Sequence, residues 1–370
     1  MLDMIEKLLD IYSNEIPAFL YEIADSPQML RLKGVGMNCG CEYTSFPLFK
    51  GLEPYSRFTH SLGVGAIVWN FTHDAKQAIA GILHDVASPA FAHVIDFMKG
   101  DYLVQESTEE RTSSIIASSV QICRILKFLG LFVEDVSDYH LYPVADNDSP
   151  RLSADRLEYT MGNILNYKFG SLEDVKRFYG NLKVAENGEG QEEICFSDEQ
   201  IAEEFAYKAL ECGKVYVCDA DRYAMQYLSE IVRRAMLRGT VTEDLLYTTE
   251  RQVIDALVSD GEGEADWKRF CRLSATEAVG RRESGASEAG EAGEAGVAGV
   301  AGEAGEAGEG KADCKDYVYP VRIIKAKKRY IDPYVAGKGL VSELCTGFRN
   351  AVEKFKSFSF EYLFEGKSAL

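Results

Sequence analysis

The chain has 370 residues and a mass of 41.1 kDa, and 46% of its residues are hydrophobic. This composition is sufficient for a full core in one large or two ordinary domains, and it excludes a disordered protein. The 59 acidic and 40 basic residues give a net charge of −19 at pH 7, which repels phosphate backbones and disfavours a nucleic-acid partner.

The cysteines and the first residues indicate where the protein resides. Nine cysteines, an odd number with Cys39 and Cys41 as one close pair, are typical of a reduced compartment rather than of a disulfide framework. Acids follow Met1 where a signal peptide needs positive charge, and no run of about 18 apolar residues occurs. We therefore expect a cytoplasmic protein without a membrane partner.

Helical spacing of apolar residues dominates the chain before residue 260. Apolar side chains return every three or four positions in four segments: 60–71, 79–86, 157–165 and 222–238. Ser153 precedes the third segment, where a helix cap is expected. The sequence therefore predicts a mostly helical, all-α domain over residues 1–259.

A low-complexity insert follows. From Glu288 to Gly308 the chain consists of seven Glu-Ala-Gly or Val-Ala-Gly triplets without proline, which argues against a collagen helix. Because this stretch has almost nothing to bury, we expect a flexible Gly/Ala/Glu linker over residues 260–315. Its start is placed at Asp260, where the composition already shifts towards glycine and glutamate.

Residues 316–370 form the last predicted unit. Tyr317–Lys327 has the composition of a strand, and a helix is predicted from Val341 to Phe358. We expect a small C-terminal strand-helix element that packs on the helical core.

Two of the five histidines lie on apolar helical segments. His60 shares the apolar stripe of its helix, and His84 with Asp85 interrupts a second apolar run. A carboxylate in such a run costs free energy unless it is paired or binds a metal ion. Two imidazoles and a carboxylate suit Zn, Fe or Mn and leave positions open for water. The three residues together favour a metal site over three unrelated core residues.

The sequence around these residues resembles that of a known family. Arg57–Val64 and Gly81–Val86 resemble the HD-domain phosphohydrolases, and Pro89–Asp96 is similar to the continuation in their deoxynucleoside triphosphate triphosphohydrolase branch. Asp155–Tyr159 resembles the family's Asp-x-x-Asp-Tyr unit. The resemblance is specific over residues 57–98, moderate over 28–56 and 153–166, and weak up to about 236, and it does not extend to the linker or the C-terminal part.

The resemblance implies a helical HD-domain fold, a homo-oligomer and a set of site residues. It implies one divalent transition metal ion (Mn, Fe, Zn or Ni) held by His60, His84, Asp85 and Asp155, with Mg²⁺ as a candidate partner of the substrate phosphates. It implies His93, oriented by Asp96, as an acid/base group, and the spacing of this pair is independently that of helix neighbours. The implied substrate contacts are Arg57, Tyr159 and Asn163. Arg57 would direct a guanidinium fork at a phosphate.

Departures from the branch leave its substrate open. Ala87 stands where the branch has a histidine, a later His-Glu pair of the branch is replaced near Gln105-Glu106 or Thr108-Glu109, and Asn163 replaces an expected aspartate. The helix around 222–236 has Leu228 and Met236 where substrate-facing Arg and Tyr are expected. We therefore predict a phosphohydrolase acting on a nucleotide or a related phosphate ester, of which dNTP cleavage is one case. The alternative is a catalytically weak HD-fold nucleotide sensor or scaffold.

Three other features have competing interpretations. Asp221 lies in a short motif similar to that around Asp155 and is therefore an alternative metal ligand. His73 with Asp74 is a second His-Asp dipeptide, but its polar surroundings are typical of a helix end. The basic run over residues 325–329 is either a solvated face or a contact for a phosphate or an effector.

Overall fold

The computed structural model describes residues 6–99, 111–281, 326–360 and 362–368. In these residues the protein is mostly helical with a small strand element, as predicted. The helices up to the middle of the chain are α1 (Glu6–Tyr12), α2 (Ala18–Ala24), α3 (Pro27–Leu30), α4 (Arg57–Thr72), α5 (Ala75–Leu83), α6 (Val94–Lys99), α7 (Thr112–Ser118), α8 (Val120–Leu129), α9 (Ala154–Asn166) and α10 (Leu172–Tyr179). Those that follow are α11 (Glu199–Val215), α12 (Asp219–Arg238), α13 (Glu243–Leu246), α14 (Glu250–Leu257), α15 (Gly261–Arg272), α16 (Val341–Leu344) and α17 (Thr346–Ser357).

Six short strands accompany the helices: β1 (Leu182–Glu186), β2 (Glu192–Phe196), β3 (Leu273–Arg281), β4 (Tyr334–Val335), β5 (Gly339–Leu340) and β6 (Tyr362–Ser368). The first sheet has the order β1-β2-β4-β5, in which β2 and β4 are parallel and pair at Phe196 and Val335. The second sheet is the antiparallel pair β3 and β6. None of the described helices is both long and apolar enough to cross a membrane.

Close packing of α4 against α5 sets the position of the site. Every residue of α4 from His60 to Val68 is buried, so this helix lies inside the main hydrophobic core. Gly65 allows the close approach, because a Cβ there would lie 2.9 Å from Cβ of Ile82 on α5. The interlocking fixes where the start of α4 lies relative to the end of α5.

The beginning of the predicted linker is folded. Residues 261–281 form α15 and β3, and the Asp260 side chain caps α15 by accepting a hydrogen bond from the Gly263 N–H at 2.6 Å. Phe270 and Leu273 are fully buried in the second hydrophobic core. The predicted start of the linker at residue 260 was wrong. The Gly/Glu-rich start of α15 has the composition of a linker, but the apolar residues that follow it are buried. Glu288–Gly308 lies outside the described residues.

The C-terminal element differs in detail from the prediction. The helix expected from Val341 to Phe358 is present as α16 and α17, separated at Cys345. Most of the predicted strand over 317–327 lies outside the described residues, and residues 326–333 belong to no helix or strand. α17 packs on α11, so the element contacts the helical core.

Candidate metal centre

Three helices converge at the candidate centre. Arg57 and His60 lie in the first turn of α4, His84 and Asp85 follow α5, and Asp155 lies in the first turn of α9. The α4 helix begins at a cap formed by Ser56, and α9 begins at the predicted cap Ser153, whose hydroxyl accepts from the Arg156 N–H at 3.3 Å. The caps satisfy donors at the helix starts, and both starts point at the same place.

His60, His84 and Asp155 bring one ligand atom each to a common point. The Nε2 atoms of His60 and His84 are 3.2 Å apart, and Oδ1 of Asp155 lies 3.1 Å from the first and 3.7 Å from the second. Ligands about 2.0–2.1 Å from one metal ion are themselves separated by roughly 3.0–3.4 Å in tetrahedral or octahedral geometry. Two of the three observed distances fall in this range and the 3.7 Å distance is longer, so the three atoms lie close enough together to hold one ion.

Hydrogen bonds on the far side of each ring fix the imidazoles. Nδ1 of His60 donates to Oε2 of Glu158 at 2.5 Å, and Nδ1 of His84 donates to the Gly81 carbonyl at 2.7 Å. With hydrogen on both Nδ1 atoms, both Nε2 atoms carry lone pairs that face each other and the Asp155 carboxylate. Three acceptors at this distance need a positive species between them, and the donor set fits a divalent metal ion.

The electrostatics of His60 show the same demand for positive charge. Burial lowers the pKa of its imidazole, but the hydrogen bonds to Asp155 and Glu158 outweigh burial and raise the pKa to about 10. A proton on Nε2 satisfies His60 and Asp155 alone, whereas a metal ion satisfies His84 as well. Glu158 is buried and also accepts from the Tyr55 hydroxyl. Sequence reasoning missed its role, although its position three residues after Asp155 was a usable signal.

Asp85 lies at the edge of this cluster. Both of its carboxylate oxygens accept from Nη1 of Arg57, at 2.8 and 2.7 Å, and Oδ1 also accepts from the Ser88 hydroxyl at 2.6 Å. Its Oδ2 is 3.6 Å from Nε2 of His84 and 3.9 Å from that of His60. Burial raises the pKa of Asp85, but Arg57 and the two imidazoles lower it to well below its usual range. Arg57, expected to point at a phosphate, is thus ion-paired within the cavity wall.

His93 and Asp96 form the expected pair. Nδ1 of His93 donates to Oδ2 of Asp96 at 2.8 Å, and Asp96 is fully buried. His93 follows Phe91 and Ala92, whose φ angles of 62° and 43° lie in the left-handed region. Such backbone strain costs free energy and is concentrated at functional sites. Burial lowers the pKa of His93, and Arg329 and Arg57 lower it further against the effect of Asp96.

A second His–Asp pair was not predicted. Nδ1 of His140, on a short 3-10 helix over Tyr139–Leu141, donates to Oδ2 of Asp146 at 2.7 Å. Asp146 is held by Nη1 of Arg156 at 2.9 Å. The two residues are six positions apart in irregular chain, so no helical or strand period indicated the pair.

A single cavity of about 260 Å³ connects these residues. Its wall includes the metal cluster, both His–Asp pairs and the predicted substrate contacts Arg57, Tyr159 and Asn163. Asn163 donates from Nδ2 to the Tyr216 hydroxyl at 2.7 Å, and the wall continues to Tyr167. Residues after the insert, Lys327 and Arg329, complete the lining.

The positions of Asp221 and of the His73–Asp74 dipeptide separate both from the metal cluster. Asp221 lines the same cavity, but among the described residues the group that shares an ion-sized space is His60, His84 and Asp155. His73 ends α4 and Asp74 caps α5, so this dipeptide is the predicted helix end.

The helical scaffold brings two imidazoles and a carboxylate to one point beside two His–Asp pairs, and this group could hold a metal ion. No family model matches the chain. The chain is 26% identical over 249 residues to the uncharacterized protein YdhJ of Bacillus subtilis, a match that covers 66% of this chain and 72% of that protein.

A second relative carries a functional name. The chain is 25% identical over 182 residues to the metal-dependent phosphohydrolase cns2 of Cordyceps militaris, covering 47% of this chain and 49% of that protein. The chain therefore spans about half the length of this relative. The similarity supports a relationship to the HD-type metal-dependent phosphohydrolases and a divalent metal ion of unspecified identity.

Proposed function

We propose that this protein is a metal-dependent phosphohydrolase acting on a nucleotide or a related phosphate ester. The observation that carries the proposal is the convergence of three acceptors, Nε2 of His60, Nε2 of His84 and Oδ1 of Asp155, in one cavity with two His–Asp pairs. The phosphohydrolase relative supports the same class.

The residues that would hold the metal ion are His60, His84 and Asp155, with Asp85 as the fourth ligand. When bound, a divalent ion polarises a phosphoryl oxygen and lowers the pKa of a water molecule. Glu158 and the Gly81 carbonyl keep the two imidazoles oriented for ligation by Nε2. Ion-paired Arg57 keeps Asp85 ionised, so its carboxylate is ready to bind a cation.

His93 is proposed as the proton acceptor. Its lowered pKa leaves the ring neutral at pH 7, and donation from Nδ1 to Asp96 leaves the lone pair on Nε2. The imidazole takes a proton as a water oxygen bonds to phosphorus and the bond between phosphorus and the leaving oxygen breaks. That proton then passes to the leaving oxygen. General acid–base transfer of this kind contributes about 10²- to 10⁴-fold to rate.

The far wall of the cavity supports a nucleotide among the phosphate esters. Tyr159, Tyr167 and Tyr216 offer aromatic surface, and Asn163 offers an amide beside them. Aromatic faces and a few placed polar groups are what a base and a sugar require. Cleavage of a dNTP at the α-phosphorus is the most specific form of this proposal.

The experiment combines metal analysis with a substrate screen. The purified protein is assayed for bound metal and then for hydrolysis of dNTPs, nucleoside monophosphates and a generic phosphodiester, with and without added Mn²⁺. His84→Ala should lose both metal and turnover. His73→Asn is the matched control, because Asn tolerates the left-handed backbone at this helix end and the residue lies outside the cavity.

The sensor alternative predicts a different result. A protein that binds metal and nucleotides tightly but hydrolyses none of the panel would replace the enzyme proposal with the sensor. Absence of metal in the parent, together with turnover in the presence of a chelator, would contradict both.

A further inference from the structure

The chain that follows the insert brings two cations into the cavity. We define the basic segment as residues 326–333, which lie outside any helix or strand. Lys327 and Arg329 line the same cavity as the metal cluster. The sequence left their run undecided between a solvated face and an anion contact.

The hydrogen bonds of Lys328 separate its role from that of its two neighbours. Nζ of Lys328 donates to the carbonyl oxygens of Lys356 and Phe358, at the C-terminal end of α17. Lys328 therefore faces α17 and satisfies exposed helix carbonyls, while its neighbours Lys327 and Arg329 line the cavity.

The basic segment is anchored where these cations enter. Ile331 is buried, and the Asp332 N–H donates to the Pro150 carbonyl at 2.9 Å. A Cβ at Gly213 on α11 would overlap the Arg329 carbonyl oxygen, so helix and segment are in direct backbone contact. The backbone that carries Arg329 is therefore held by packing, two residues after Lys327.

The charged residues of the cavity wall show what Lys327 and Arg329 add to it. Its helical part contributes four carboxylates and two arginines to the wall: Asp85, Asp146, Asp155, Asp221, Arg57 and Arg156. Arg57 and Arg156 pair with carboxylates of the same wall, at 2.7 and 2.9 Å. Lys327 and Arg329 add two positive charges to this wall, which favour an anion in the cavity.

Arg329 also affects the pKa of His93, the proposed base. After burial and the opposing effect of Asp96, Arg329 is the next cause that shifts the pKa of His93, and it lowers that pKa. Arg329 lowers the pKa of Tyr159 as well, against the larger raising effect of burial. The guanidinium thus acts on residues on both sides of the metal cluster.

We propose that Lys327 and Arg329 form a phosphate-binding site of the cavity, which selects substrates carrying a dianionic or more highly charged phosphate over monoanionic diesters. This assignment rests on the proposed function, because it names the substrate class of the same cavity. Charge-assisted hydrogen bonds from lysine and arginine are the strong contacts available for such a group.

Binding and turnover test the assignment separately. Inorganic phosphate and tripolyphosphate are titrated by calorimetry into the purified full chain, into the variant carrying Lys327→Ala and Arg329→Ala, and into Lys328→Ala. The double variant should bind both anions at least roughly tenfold more weakly, as expected for the loss of hydrogen bonds to charged groups. Lys328→Ala should bind within twofold of the parent while melting at a lower temperature.

Two chromogenic substrates then report charge selection. With p-nitrophenyl phosphate, a dianion, the double variant should show a raised KM and a smaller change in kcat. With bis(p-nitrophenyl) phosphate, a monoanion, the change in KM should be smaller. Arg329→Lys in place of Arg329→Ala should restore part of the anion affinity.

The outcomes separate the two proposals. Anion binding that weakens in the double variant supports the phosphate site even if no substrate is turned over, and only the enzyme proposal then fails. Turnover with unchanged anion affinity in a folded double variant overturns the phosphate site and leaves the enzyme proposal standing. A parent that binds neither anion also overturns the phosphate site.

Discussion

Two parts of the chain face each other across the cavity, and they are built by different means. The helical part, from α4, α5 and α9, places His60, His84 and Asp155 by tight packing of buried helices. The basic segment places Lys327 and Arg329 in the cavity wall from backbone outside any helix or strand. The first part assembles a metal site from neighbouring turns, and the second adds charge from more than 150 residues further along the chain.

This difference assigns different tasks to the two parts. Ligand atoms must meet within a few tenths of an ångström, which rigid helix starts achieve. Charges that attract an anion act over several ångströms and tolerate a less regular support. We therefore expect substitutions in the helical part to abolish chemistry, and changes towards the insert to have smaller effects.

The largest effect is expected at the ligands. Asp155→Ala should remove bound metal and reduce turnover by several orders of magnitude, since it deletes the carboxylate whose Oδ1 lies 3.1 Å from Nε2 of His60 and 3.7 Å from Nε2 of His84. Asp85→Ala should do the same if Asp85 is the fourth ligand. Elemental analysis and a turnover assay check both, and metal retained by Asp85→Ala would remove Asp85 from the ligand set.

The two His–Asp pairs are compared next. His93→Gln should retain metal and lose roughly 10²- to 10⁴-fold in kcat, the range of a lost general base. His140→Gln is the matched variant of the second pair, whose imidazole is about half exposed. It should cost less, and the pH profile of kcat should lose its low-pH limb in the His93 variant alone. Equal losses in both variants would contradict the assignment of His93 as the base.

An intermediate effect is expected from Glu158→Gln. The substitution keeps shape and removes the charge that orients His60, and loss of such an orienting group lowers metal affinity by about 10- to 100-fold. Titration with a competing chelator measures the change. Unaltered affinity would mean that the hydrogen bond to Glu158 does not prepare His60 for ligation.

A substitution at Asp221 tests whether this residue is a metal ligand or a buried acid. Burial raises the pKa of its carboxyl from the ordinary value of 3.8 to about 7. Because the folded protein holds this proton more tightly than the unfolded chain, its contribution to stability is present below about pH 4 and is lost as the pH rises to about 7. Asp221→Asn should therefore raise the melting temperature at pH 8 by more than at pH 4.5. Loss of metal in this variant would instead identify Asp221 as a ligand.

The smallest effect is expected from deletion of Glu288–Gly308. The sequence gives this stretch almost no apolar surface, and a change in the length of a flexible connection costs about 0.6 kcal/mol per doubling. Metal content, melting temperature and turnover should match the parent. A large fall in melting temperature would show that the insert is structural.

Helical periodicity and a family resemblance were sufficient for the mostly helical fold and for the convergence of His60, His84 and Asp155. They could work because each of these residues lies at or near a helix end, where local spacing fixes direction. The pair of His140 and Asp146 could not be predicted, since irregular backbone brings it together. The homo-oligomer and the roles of the individual site residues stay predictions.

The same reasoning explains the error at residue 260. A window rich in glycine and glutamate looked like a linker, yet Phe270 and Leu273 bury completely and hold α15 and β3 in the second core. Tertiary contacts decided the state of a segment whose local composition pointed the other way. The position of Lys327 and Arg329 in the cavity wall could not be predicted either, because it depends on where the chain rejoins the fold after a long insert.

The contact between Gly213 and the Arg329 carbonyl has a consequence for variation among descendants of this sequence. A Cβ at that helix position would overlap the Arg329 carbonyl oxygen, so a side chain there requires the helix or the basic segment to shift. Under the proposed phosphate site, a single codon change at Gly213 would therefore alter anion binding without replacing any proposed metal ligand. Descendants of this sequence would in this way vary their anion preference with the same ligand set.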